Sequence, residues 1–462
     1  MDFYDREEEQ KILNEKLNSK NSYDLIVISG RRRIGKTELI KHLKYKGIYF
    51  YVTKETKFNL LKDLTTQVRE YFNDKFITFE DFNSFFEYLI EKAKFQNLTI
   101  IFDEFQNFES VDKAFFSIMQ KYIDRINSED IPLKIIAMGS YIRLIKDIFN
   151  SSSAALYGRK TAQTVLKPLR FRYIKQLLEK EFNITDDEEI INFYGVFGGI
   201  PKYYKLFEGN RFKNLTQVLD LTLFRSVSML ESEIKEVFYE QVIEIKKEYL
   251  SIIKAIALGF NTNKKISDYT NIEKTSIPTY INDLMDIYEI VGRKIPITED
   301  YLKSKKGVYY IKDSFLHFWF FFIEKNRSSF ELEQFDYIKD QISKHLNDFL
   351  GRNVFENVAR EYVQKYNKDY VVGSWWIGET EIDDVGINDT NKVILGECKY
   401  SNKKVGFTLF NELLEKFEKL KGKEIKKIYL FSKSGFEENL QEKAKDLNVE
   451  LVDLNKLVEG LS

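Results

Sequence analysis

A basic segment framed by glycines, near the start of the chain, carries the residue types that bind phosphate. Residues Gly30–Thr37 read Gly-Arg-Arg-Arg-Ile-Gly-Lys-Thr and match the pattern G-x-x-x-x-G-K-[ST]. The segment follows an apolar run, Leu25–Ile28, and precedes a helical run, Glu38–Lys44. Glycines let backbone N–H groups curve around phosphate oxygens, and a helix that begins there directs its N-terminus at the same anion. The pattern and its context therefore predict a phosphate-binding loop.

The residue types in this loop predict an ATP site that also takes Mg²⁺. Lys36 would reach the β- and γ-phosphates, and the Thr37 hydroxyl would bind Mg²⁺. The predicted nucleotide contacts are Gly30, Arg31, Arg32, Arg33, Ile34, Gly35, Lys36, Thr37 and Glu38. The alternative is a glycine turn that carries surface basic residues, which accounts less well for the strand before the loop and the helix after it.

Two carboxylates follow a second apolar run, Leu98–Phe102. Acidic residues at the carboxyl end of a buried parallel strand lie where such sheets bind ligands. Asp103 is predicted to hold Mg²⁺ through water, and Glu104 to polarise the attacking water as a general base. Ser140, shortly after Ile135–Ala137, is a candidate contact for the γ-phosphate or that water, although a serine at this position also suits a helix N-cap.

A second acidic group lies towards the carboxyl end of the chain. Asp383 precedes a strand-like run that ends in Glu397, Cys398 and Lys399, which is the spacing of PD-(D/E)xK nucleases. The pleat of a strand puts Glu397 and Lys399 on one face and directs Cys398 to the core. Asp383 and Glu397 are predicted to share a metal ion beside a scissile phosphate, with Lys399 activating water. Glu356, on a helical segment, is a further candidate ligand. The alternative is a charged hairpin on a solvated surface.

The elements that must position these residues follow from hydrophobic patterning. Short β-branched or aromatic runs alternate with helical patterns up to about residue 166, which predicts a parallel sheet covered by helices. The predicted strands are Leu25–Ile28, Ile48–Val52, Leu98–Phe102, Ile135–Ala137 and Thr161–Leu166. The predicted fold class is α/β. Its predicted parts are a P-loop core over 1–170, a helical lid over 171–245, a winged-helix-like segment over 246–300, a helical connector over 301–345 and a restriction-endonuclease-like α/β domain over 346–462.

Three local patterns refine this division of the chain. Ile290–Ile295, ended by Pro296, is predicted to be a hairpin or wing, and Phe315–Ile323 a buried helix. Late strands are predicted at Lys426–Phe431 and Val449–Val452.

The winged-helix-like segment has mixed signals for DNA binding. The basic residues that suit phosphate contacts are Lys264, Lys265, Lys274, Arg293 and Lys294. The polar residues of the expected recognition helix argue against binding, because carboxylates there would repel phosphates. They are Asn282, Asp283 and Asp286. A packing role between domains is the alternative.

The composition excludes several classes of protein. The chain has 462 residues, 71 of them basic and 72 acidic, so several domains are expected and any contact with DNA must come from a local patch. One cysteine, Cys398, excludes an internal disulfide, and His42, His317 and His345 show no metal-ligand spacing. With a charged N-terminus and an apolar run of only Phe315–Ile323, a cytoplasmic protein outside the membrane is expected.

Residues 1 to about 300 resemble the archaeal-type ATPases, a branch of the AAA+ and STAND-like P-loop proteins. The matching positions are Phe3, Arg6, Glu7, the Gly30–Thr37 loop, Asp103–Gln106, Gly139, Ser140, Leu156–Arg159 and Gly198–Tyr203. The resemblance implies a nucleotide site between the sheet and the helical lid, with the Gly198 turn near it. It also implies Arg159 as an arginine finger, for which a structural salt bridge is the alternative.

The C-terminal segment resembles the nuclease-like domain that often follows archaeal-type ATPases. The shared positions are Gly351–Arg352, Phe355–Glu356, Trp375–Trp376, Glu381–Asp383 and Gly396–Lys399. Ile382 stands where many such nucleases have a proline before the acid, so a non-cleaving module remains open.

These patterns predict an ATP- and Mg²⁺-dependent ATPase whose nucleotide state controls a metal-dependent nuclease-like domain acting on DNA. The main alternative is an ATP-driven signalling or defence switch with a catalytically inactive C-terminal interaction module. A nucleotide kinase is disfavoured because no second substrate-binding signature accompanies the loop. A homo-oligomer or a protein partner remains open.

Overall fold

The computed structural model describes residues 1–19, 23–225, 228–232, 234–235 and 247–461. The chain forms two compact units, one of Asp5–Pro168 and one of Met1–Tyr4 with Leu169–Ser462. Parts of the predicted lid, at 226–227, 233 and 236–245, lie outside the described residues. No helix within the described ranges is long and apolar enough to cross a membrane.

The unit Asp5–Pro168 is built on a five-stranded parallel sheet in the order β2-β3-β4-β1-β5. Its strands are β1 (Asp24–Ser29), β2 (Gly47–Tyr51), β3 (Leu98–Asp103), β4 (Leu133–Gly139) and β5 (Ala162–Val165). The three central strands are buried at every position, as expected for a parallel sheet covered on both faces. All five strands predicted from the sequence are confirmed, with bounds that differ by one or two residues.

Helices flank this sheet, and two of those described begin at a side-chain cap. They are α1 (Glu7–Leu17), α2 (Lys36–Lys41), α3 (Lys57–Phe72), α4 (Phe82–Ala93), α5 (Phe108–Val111), α6 (Phe115–Ser128) and α7 (Ile142–Asn150), with a 3-10 turn at Phe105–Asn107. Thr56 caps α3 by accepting from the Asn59 N–H, and Asp81 and Ser84 form a reciprocal capping box at α4. A cluster of phenylalanines packs against Phe102 of β3 and includes the stacked rings of Phe108 and Phe115.

The second unit begins with helices that a tight glycine turn interrupts. They are α8 (Phe171–Phe182), α9 (Asp187–Phe197), α10 (Pro201–Lys205) and α11 (Leu215–Thr222). Gly198 has a φ of +59°, and a Cβ on Gly199 would lie 2.0 Å from the Leu169 carbonyl oxygen. The turn predicted at these glycines is therefore confirmed, and both positions require glycine.

Three helices and an antiparallel hairpin follow. They are α12 (Lys247–Ala257), α13 (Asn263–Thr270), α14 (Ile277–Asp286), β6 (Val291–Lys294) and β7 (Val308–Ile311). The predicted hairpin is confirmed for its first strand, and its second strand lies beyond the segment named from the sequence. The apolar run continues as α15 (Ser314–Phe318) and a buried π-helical turn, Trp319–Ile323, and then as a 3-10 turn (Glu324–Asn326), α16 (Arg327–Glu331) and α17 (Phe335–Leu350). The boundary predicted after residue 345 falls inside α17.

The chain ends in a five-stranded mixed sheet, ordered β12-β11-β10-β9-β8. Its elements are a π-helical turn (Gly351–Phe355), α18 (Glu356–Tyr366), β8 (Val371–Ile377), β9 (Thr380–Ile387), β10 (Lys392–Lys399), α19 (Phe407–Phe417), β11 (Glu424–Ser432), α20 (Glu438–Lys443), β12 (Val449–Asp453) and α21 (Leu454–Gly460). Strands β8, β9 and β10 pair antiparallel, whereas β10, β11 and β12 pair parallel. The two late strands predicted from the sequence are confirmed as β11 and β12.

Candidate functional site

The predicted phosphate loop joins β1 to α2, and its glycines are needed for different reasons. Gly35 has a φ of +94°, a left-handed conformation that turns the chain into α2 and that favours glycine. Gly30 is needed for space, because a Cβ there would lie 2.9 Å from the Leu166 carbonyl oxygen. Arg33 also has a positive φ, of 70°. The loop thus forms the tight curve that the predicted phosphate site requires.

Lys36 is the first residue of α2, and its ammonium group is buried in this curve. Its Nζ donates to the carbonyl oxygens of Gly30 (2.8 Å) and Arg31 (3.0 Å) and to Ser140 Oγ (2.9 Å). These contacts hold a positive charge at the loop, where phosphate oxygens would accept from it.

Thr37 and Asp103, two of the predicted magnesium ligands, form a hydrogen bond with each other. Thr37 Oγ1 donates to Asp103 Oδ2 at 3.0 Å, and the Tyr49 hydroxyl donates to the same oxygen. The backbone N–H of Glu104 donates to Asp103 Oδ1 at 2.9 Å. Burial and the bond to Asp103 raise the pKa of Tyr49, so this hydroxyl keeps its proton and remains a donor. The carboxylate of Asp103 is therefore fixed in orientation from three directions.

Both carboxylate oxygens of Glu104 are held as well. Ser140 Oγ donates to Oε1 at 2.7 Å, and Gln106 Nε2 donates to Oε2. Glu104 has a φ of 54°, so the chain turns sharply after β3 and brings Gln106 back to the side chain two residues before it. Gly139 leaves room for this arrangement, since a Cβ there would lie 2.4 Å from Gln106 Oε1. The sequence marks Gln106 only as part of the Asp103–Gln106 segment and does not predict its contact with Glu104.

The strand order explains why two separate sequence motifs meet at Ser140. Strand β4 lies between β1, which leads to the phosphate loop, and β3, which ends at Asp103. Ser140 follows β4 directly, so it accepts from Lys36 on one side and donates to Glu104 on the other. The N-cap of α7 is Tyr141, without a side-chain cap bond, so the capping alternative for Ser140 is wrong.

The other predicted nucleotide contacts lie around this centre. Ile34 is buried. Glu38 lies on the first turn of α2, and its Oε2 is 3.5 Å from Lys41 Nζ. Arg31 and Arg32 lie on the loop with Arg33.

Arg159 makes a two-pronged ion pair. Its Nε lies 2.8 Å from Asp124 Oδ1, and its Nη2 donates to Oδ2 at 2.9 Å. Nη1 donates to the Ala155 carbonyl oxygen at 3.0 Å, and the Tyr23 hydroxyl donates to the Arg159 carbonyl oxygen. This is the salt bridge that was the alternative to an arginine finger, and the finger role stays a prediction.

The predicted C-terminal acids come from three elements that meet. Asp383 lies on β9, Glu397 on β10 and Glu356 at the start of α18. Strands β9 and β10 are antiparallel, and Asp384 pairs with Gly396. The next position in this register puts Asp383 on β9 opposite Glu397 on β10. Asp383 Oδ2 accepts from the Cys398 N–H at 2.9 Å.

The charges of these acids are only partly balanced. Burial, with a contribution from Asp383, raises the pKa of Glu397 to about 8. Burial also raises the pKa of Asp383 to about 6, and burial with Asp383 and Glu381 raises the pKa of Glu356 well above its ordinary value. Glu397 is paired with Lys416 through Oε1, and its buried Oε2 has no hydrogen-bond partner among the described residues. The acids therefore interact across the site, which does not match a charged hairpin on a solvated surface.

The grouping differs from the predicted one in two respects. Lys399 is exposed at the end of β10, while Glu397, two residues earlier, is buried. Among the described residues, no three or more His, Cys, Asp or Glu side chains are arranged to hold a metal ion. The four predicted residues thus do not form a finished metal site with these side-chain positions, because Lys416 holds one ligand and Asp383 is turned to a backbone N–H.

Comparisons with known proteins agree with the division into an N-terminal ATPase and a C-terminal domain. Residues 3–207 match the model of an ATPase domain predominantly from Archaea, and residues 319–428 match a family described as archaeal and bacterial proteins of unknown function. The Uncharacterized protein MJECL04 of Methanocaldococcus jannaschii is 34% identical over 446 residues, covering 94% of this chain and 92% of the relative. The chain belongs to the family of that protein.

Two solved structures are similar to this chain, and one of them supports its fold. The Walker-type ATPase PABY2304 of Pyrococcus abyssi is 20% identical to this chain, with a TM-score of 0.51. The alignment covers 69% of this chain and 96% of the other. The ORC2 protein of Aeropyrum pernix, in ADPNP and ADP complexes, is 12% identical, with a TM-score of 0.48 over 74% of this chain and 96% of the other. The first of these likenesses shows the P-loop fold, and with the family model it establishes an archaeal ATPase domain in this family member.

Several residues around the C-terminal acids of this family member escaped the sequence analysis. Arg360 Nε lies 2.8 Å from Asp384 Oδ1, and Arg360 Nη2 donates to the Asp383 carbonyl oxygen at 2.7 Å. Burial raises the pKa of Asp384 to about 7. Arg360 lies one helical turn after Glu356, which was a usable signal, whereas Lys416 reaches Glu397 from a separate helix and had none.

Proposed function

We propose that the chain hydrolyses ATP and that its nucleotide state controls a metal-dependent, nuclease-like C-terminal domain that acts on DNA. The observation that carries the first part is the continuous series of hydrogen bonds from Lys36 through Ser140 to Glu104. It joins the phosphate-binding charge to the candidate base, next to the bonded pair of Thr37 and Asp103.

The residues divide the work of hydrolysis among them. Lys36 binds the β- and γ-phosphates, and Thr37 and Asp103 would hold Mg²⁺, Asp103 through water, so that the ion would neutralise charge on those phosphates. Glu104 accepts a proton from water as the water oxygen bonds to the γ-phosphorus and the bond to the β-phosphate oxygen breaks. The products are ADP and inorganic phosphate. Ser140 and Gln106 keep the Glu104 carboxylate in position, and the arrival of phosphate gives Lys36 a charged partner in place of the Ser140 hydroxyl.

Replacing the base alone tests this assignment. Glu104→Gln should keep ATP bound and slow hydrolysis by about a hundredfold or more, since it removes the base and leaves Lys36, Thr37 and Asp103 in place. Glu109→Gln, an exposed position nearby, is the matched control. If binding and hydrolysis fell together in Glu104→Gln, the role given to Glu104 would be incorrect.

The C-terminal domain supports the second part through its topology and its acids. A helix, three antiparallel strands, a helix and a parallel strand is the order from α18 to β11, which we interpret as a restriction-endonuclease-like core. Carboxylate oxygens suit Mg²⁺ or Mn²⁺, and the buried Oε2 of Glu397, which has no hydrogen-bond partner within the described ranges, is an available ligand atom. A bound cation would polarise the scissile phosphate. Asp383, Glu397 and Glu356 would hold it, and Lys399 would orient water or stabilise developing charge.

The three helices and hairpin from α12 to β7 have the order of a winged helix, which we propose as the link between ATPase and nuclease-like domain. The alternative, a switch with an inactive C-terminal module, draws support from the ion pair of Lys416 with Glu397. This pair occupies one of the ligands that cleavage would require.

A cleavage assay separates the two readings. Linear, circular, branched and single-stranded DNA would be incubated at low salt with Mg²⁺ or Mn²⁺ and with wild type, Asp383→Ala or Lys399→Ala. The nuclease reading requires that Asp383→Ala eliminates cleavage and leaves ATP hydrolysis largely intact. Equal cleavage by all three proteins would assign the activity elsewhere, and no cleavage of any substrate would favour the inactive module.

A further inference from the structure

The loop that joins β6 to β7, residues 295–307, is fastened to the free edge of the C-terminal sheet. Strand β8 is the last strand of that sheet, and its Ser374 carbonyl oxygen accepts from the Ile297 N–H at 2.9 Å. Trp376 Nε1 donates to the Lys306 carbonyl oxygen at 3.1 Å. We call residues 295–307 the wing loop. These bonds tie it to β8 at two points.

A side-chain contact reinforces this attachment. Ile297 packs against the hydrophobic core of the C-terminal sheet, and a Cβ on Gly373 would lie 3.0 Å from its Cδ1. The absence of a side chain at Gly373 therefore leaves the space that Ile297 fills. The wing loop is docked by backbone bonding and by apolar packing together.

This docking brings Lys294, the last residue of β6, to the start of α18. Lys294 Nζ lies 3.4 Å from Asn357 Oδ1, which also accepts from Arg360 Nη1 at 2.9 Å. Arg360 in turn contacts Asp384 Oδ1 and donates to Ser374 Oγ. Lys294 and Arg360 thus share one acceptor on the residue that follows Glu356 in α18.

The charges at this place are unequal in number. The acids that act on one another or on Lys294 are Glu356, Glu381, Asp383, Asp384 and Glu397. The cations among them are Lys294, Arg360 and Lys416. Burial and Arg360 lower the pKa of Lys294, while Glu356, Glu381 and Asp384 oppose this change. Lys294 is the only one of the three cations that comes from outside the C-terminal domain.

We propose that Lys294 is a resident counter-ion of the C-terminal carboxylate site, so that docking of the wing loop lowers the affinity of that site for a divalent cation. The proposal rests on the proposed metal site and deepens it. A positive charge held beside carboxylates reduces their attraction for a second cation, because the two cations repel each other across a partly buried space. The winged-helix-like segment would then control metal uptake through one side chain.

The test is the binding of Mn²⁺ to the full chain, measured by calorimetry without nucleotide. The heat that Asp383→Asn removes is assigned to the carboxylate site. Lys294→Met should bind Mn²⁺ roughly tenfold more tightly than wild type, as loss of one nearby charge implies. Lys294→Arg keeps the charge and should bind as wild type does. Lys305→Met removes an exposed lysine of the same wing loop and should also leave the affinity unchanged.

Two results would overturn the proposal, and only one of them would also refute the proposed metal site. Equal Mn²⁺ affinity in wild type and Lys294→Met, or an equal gain in Lys305→Met, would refute the counter-ion role and leave the metal site standing. No Asp383-dependent binding in any of the proteins would refute the metal site and the counter-ion role together.

Discussion

The nucleotide site and the C-terminal carboxylate site use acidic residues in opposite ways. Asp103 accepts three hydrogen bonds and Glu104 two, from groups on α2, on β2, in the turn after β3 and directly after β4. In the C-terminal site, Glu397 keeps a buried oxygen without a partner among the described residues, and burial raises the pKa of Glu397 and Asp383. The first site is organised before its ligand arrives. The second has five acids near three basic side chains, so an added cation or proton should stabilise it, and we expect it to respond more strongly to pH and to metal concentration.

The largest expected effect on ATP turnover comes from removing the positive charge of the nucleotide site. Lys36→Ala should reduce ATP turnover by at least about a hundredfold and weaken nucleotide binding, because it removes the charge that faces the phosphates. Phosphate release and binding of a fluorescent ATP analogue would measure both effects. Lys41→Ala, an exposed lysine of the same helix, is the control. Wild-type turnover in Lys36→Ala would refute the site assignment.

A smaller effect is expected when the orientation of the base is disturbed and the phosphate contacts are kept. Gln106→Leu removes the donor to Glu104 Oε2 and should lower kcat by about tenfold while KM and the Kd for ATP stay unchanged. Gln96→Leu, at an exposed position, should behave as wild type. A parallel loss of kcat and nucleotide affinity would show that Gln106 supports the fold of the site and does not position Glu104.

The carboxylate site should show its unbalanced charge as a dependence of stability on pH. Folded Glu397 keeps its proton up to a pKa of about 8, whereas the unfolded residue loses it near the ordinary value of 4.5, so stability should fall as pH rises through this interval. From pH 6 to 8 the loss attributable to Glu397 should be about 2 kcal/mol.

Glu397→Gln should remove this part of the pH dependence, and Glu415→Gln on the exposed face of α19 should not. The measurement is urea unfolding followed by tryptophan fluorescence. All 3 tryptophans, Trp319, Trp375 and Trp376, belong to the unit that contains Glu397. Asp384 titrates in both proteins and cancels in the comparison, whereas Asp383 acts on Glu397, so the difference reports Glu397 together with its interaction with Asp383. Equal slopes for wild type and Glu397→Gln would mean that Glu397 is ionised throughout this range.

The smallest effect concerns Arg159. Because its ion pair with Asp124 is partly exposed, Arg159→Ala and Asp124→Ala should each cost at most about 1 kcal/mol and leave kcat unchanged. Thermal unfolding and ATP turnover would be measured for both variants. Loss of turnover in Arg159→Ala alone would instead support the arginine finger.

The features that could be predicted from the sequence are those that depend on residues within one helix, strand or loop. The phosphate loop, the acids after β3 and all five strands of the first sheet depend on local spacing and on buried runs such as Leu98–Phe102. The spacing of Asp383 and Glu397 grouped these two acids in one predicted site, and the two lie on the neighbouring strands β9 and β10.

The missed contacts depend on how separate elements pack. Lys416 reaches Glu397 across 19 positions, Lys294 reaches Asn357 across 63, and no periodicity in the chain marks either pair. Gln106 is close to Glu104 in sequence, but its contact follows from the left-handed turn at Glu104 and from the missing side chain at Gly139. Such contacts become visible only once the backbone path is known.

The path of the chain between its two compact units bears on how the protein would come apart. Residues Met1–Tyr4 belong to the second unit, where the Asp2 N–H and the Tyr4 hydroxyl both donate to Glu181 Oε1, at 2.7 and 2.9 Å. The polypeptide therefore passes from one unit to the other at two places, after Tyr4 and after Pro168. A protease cut after Pro168 would give two bands on a denaturing gel, yet the anchored first residues would keep both fragments together on a native one.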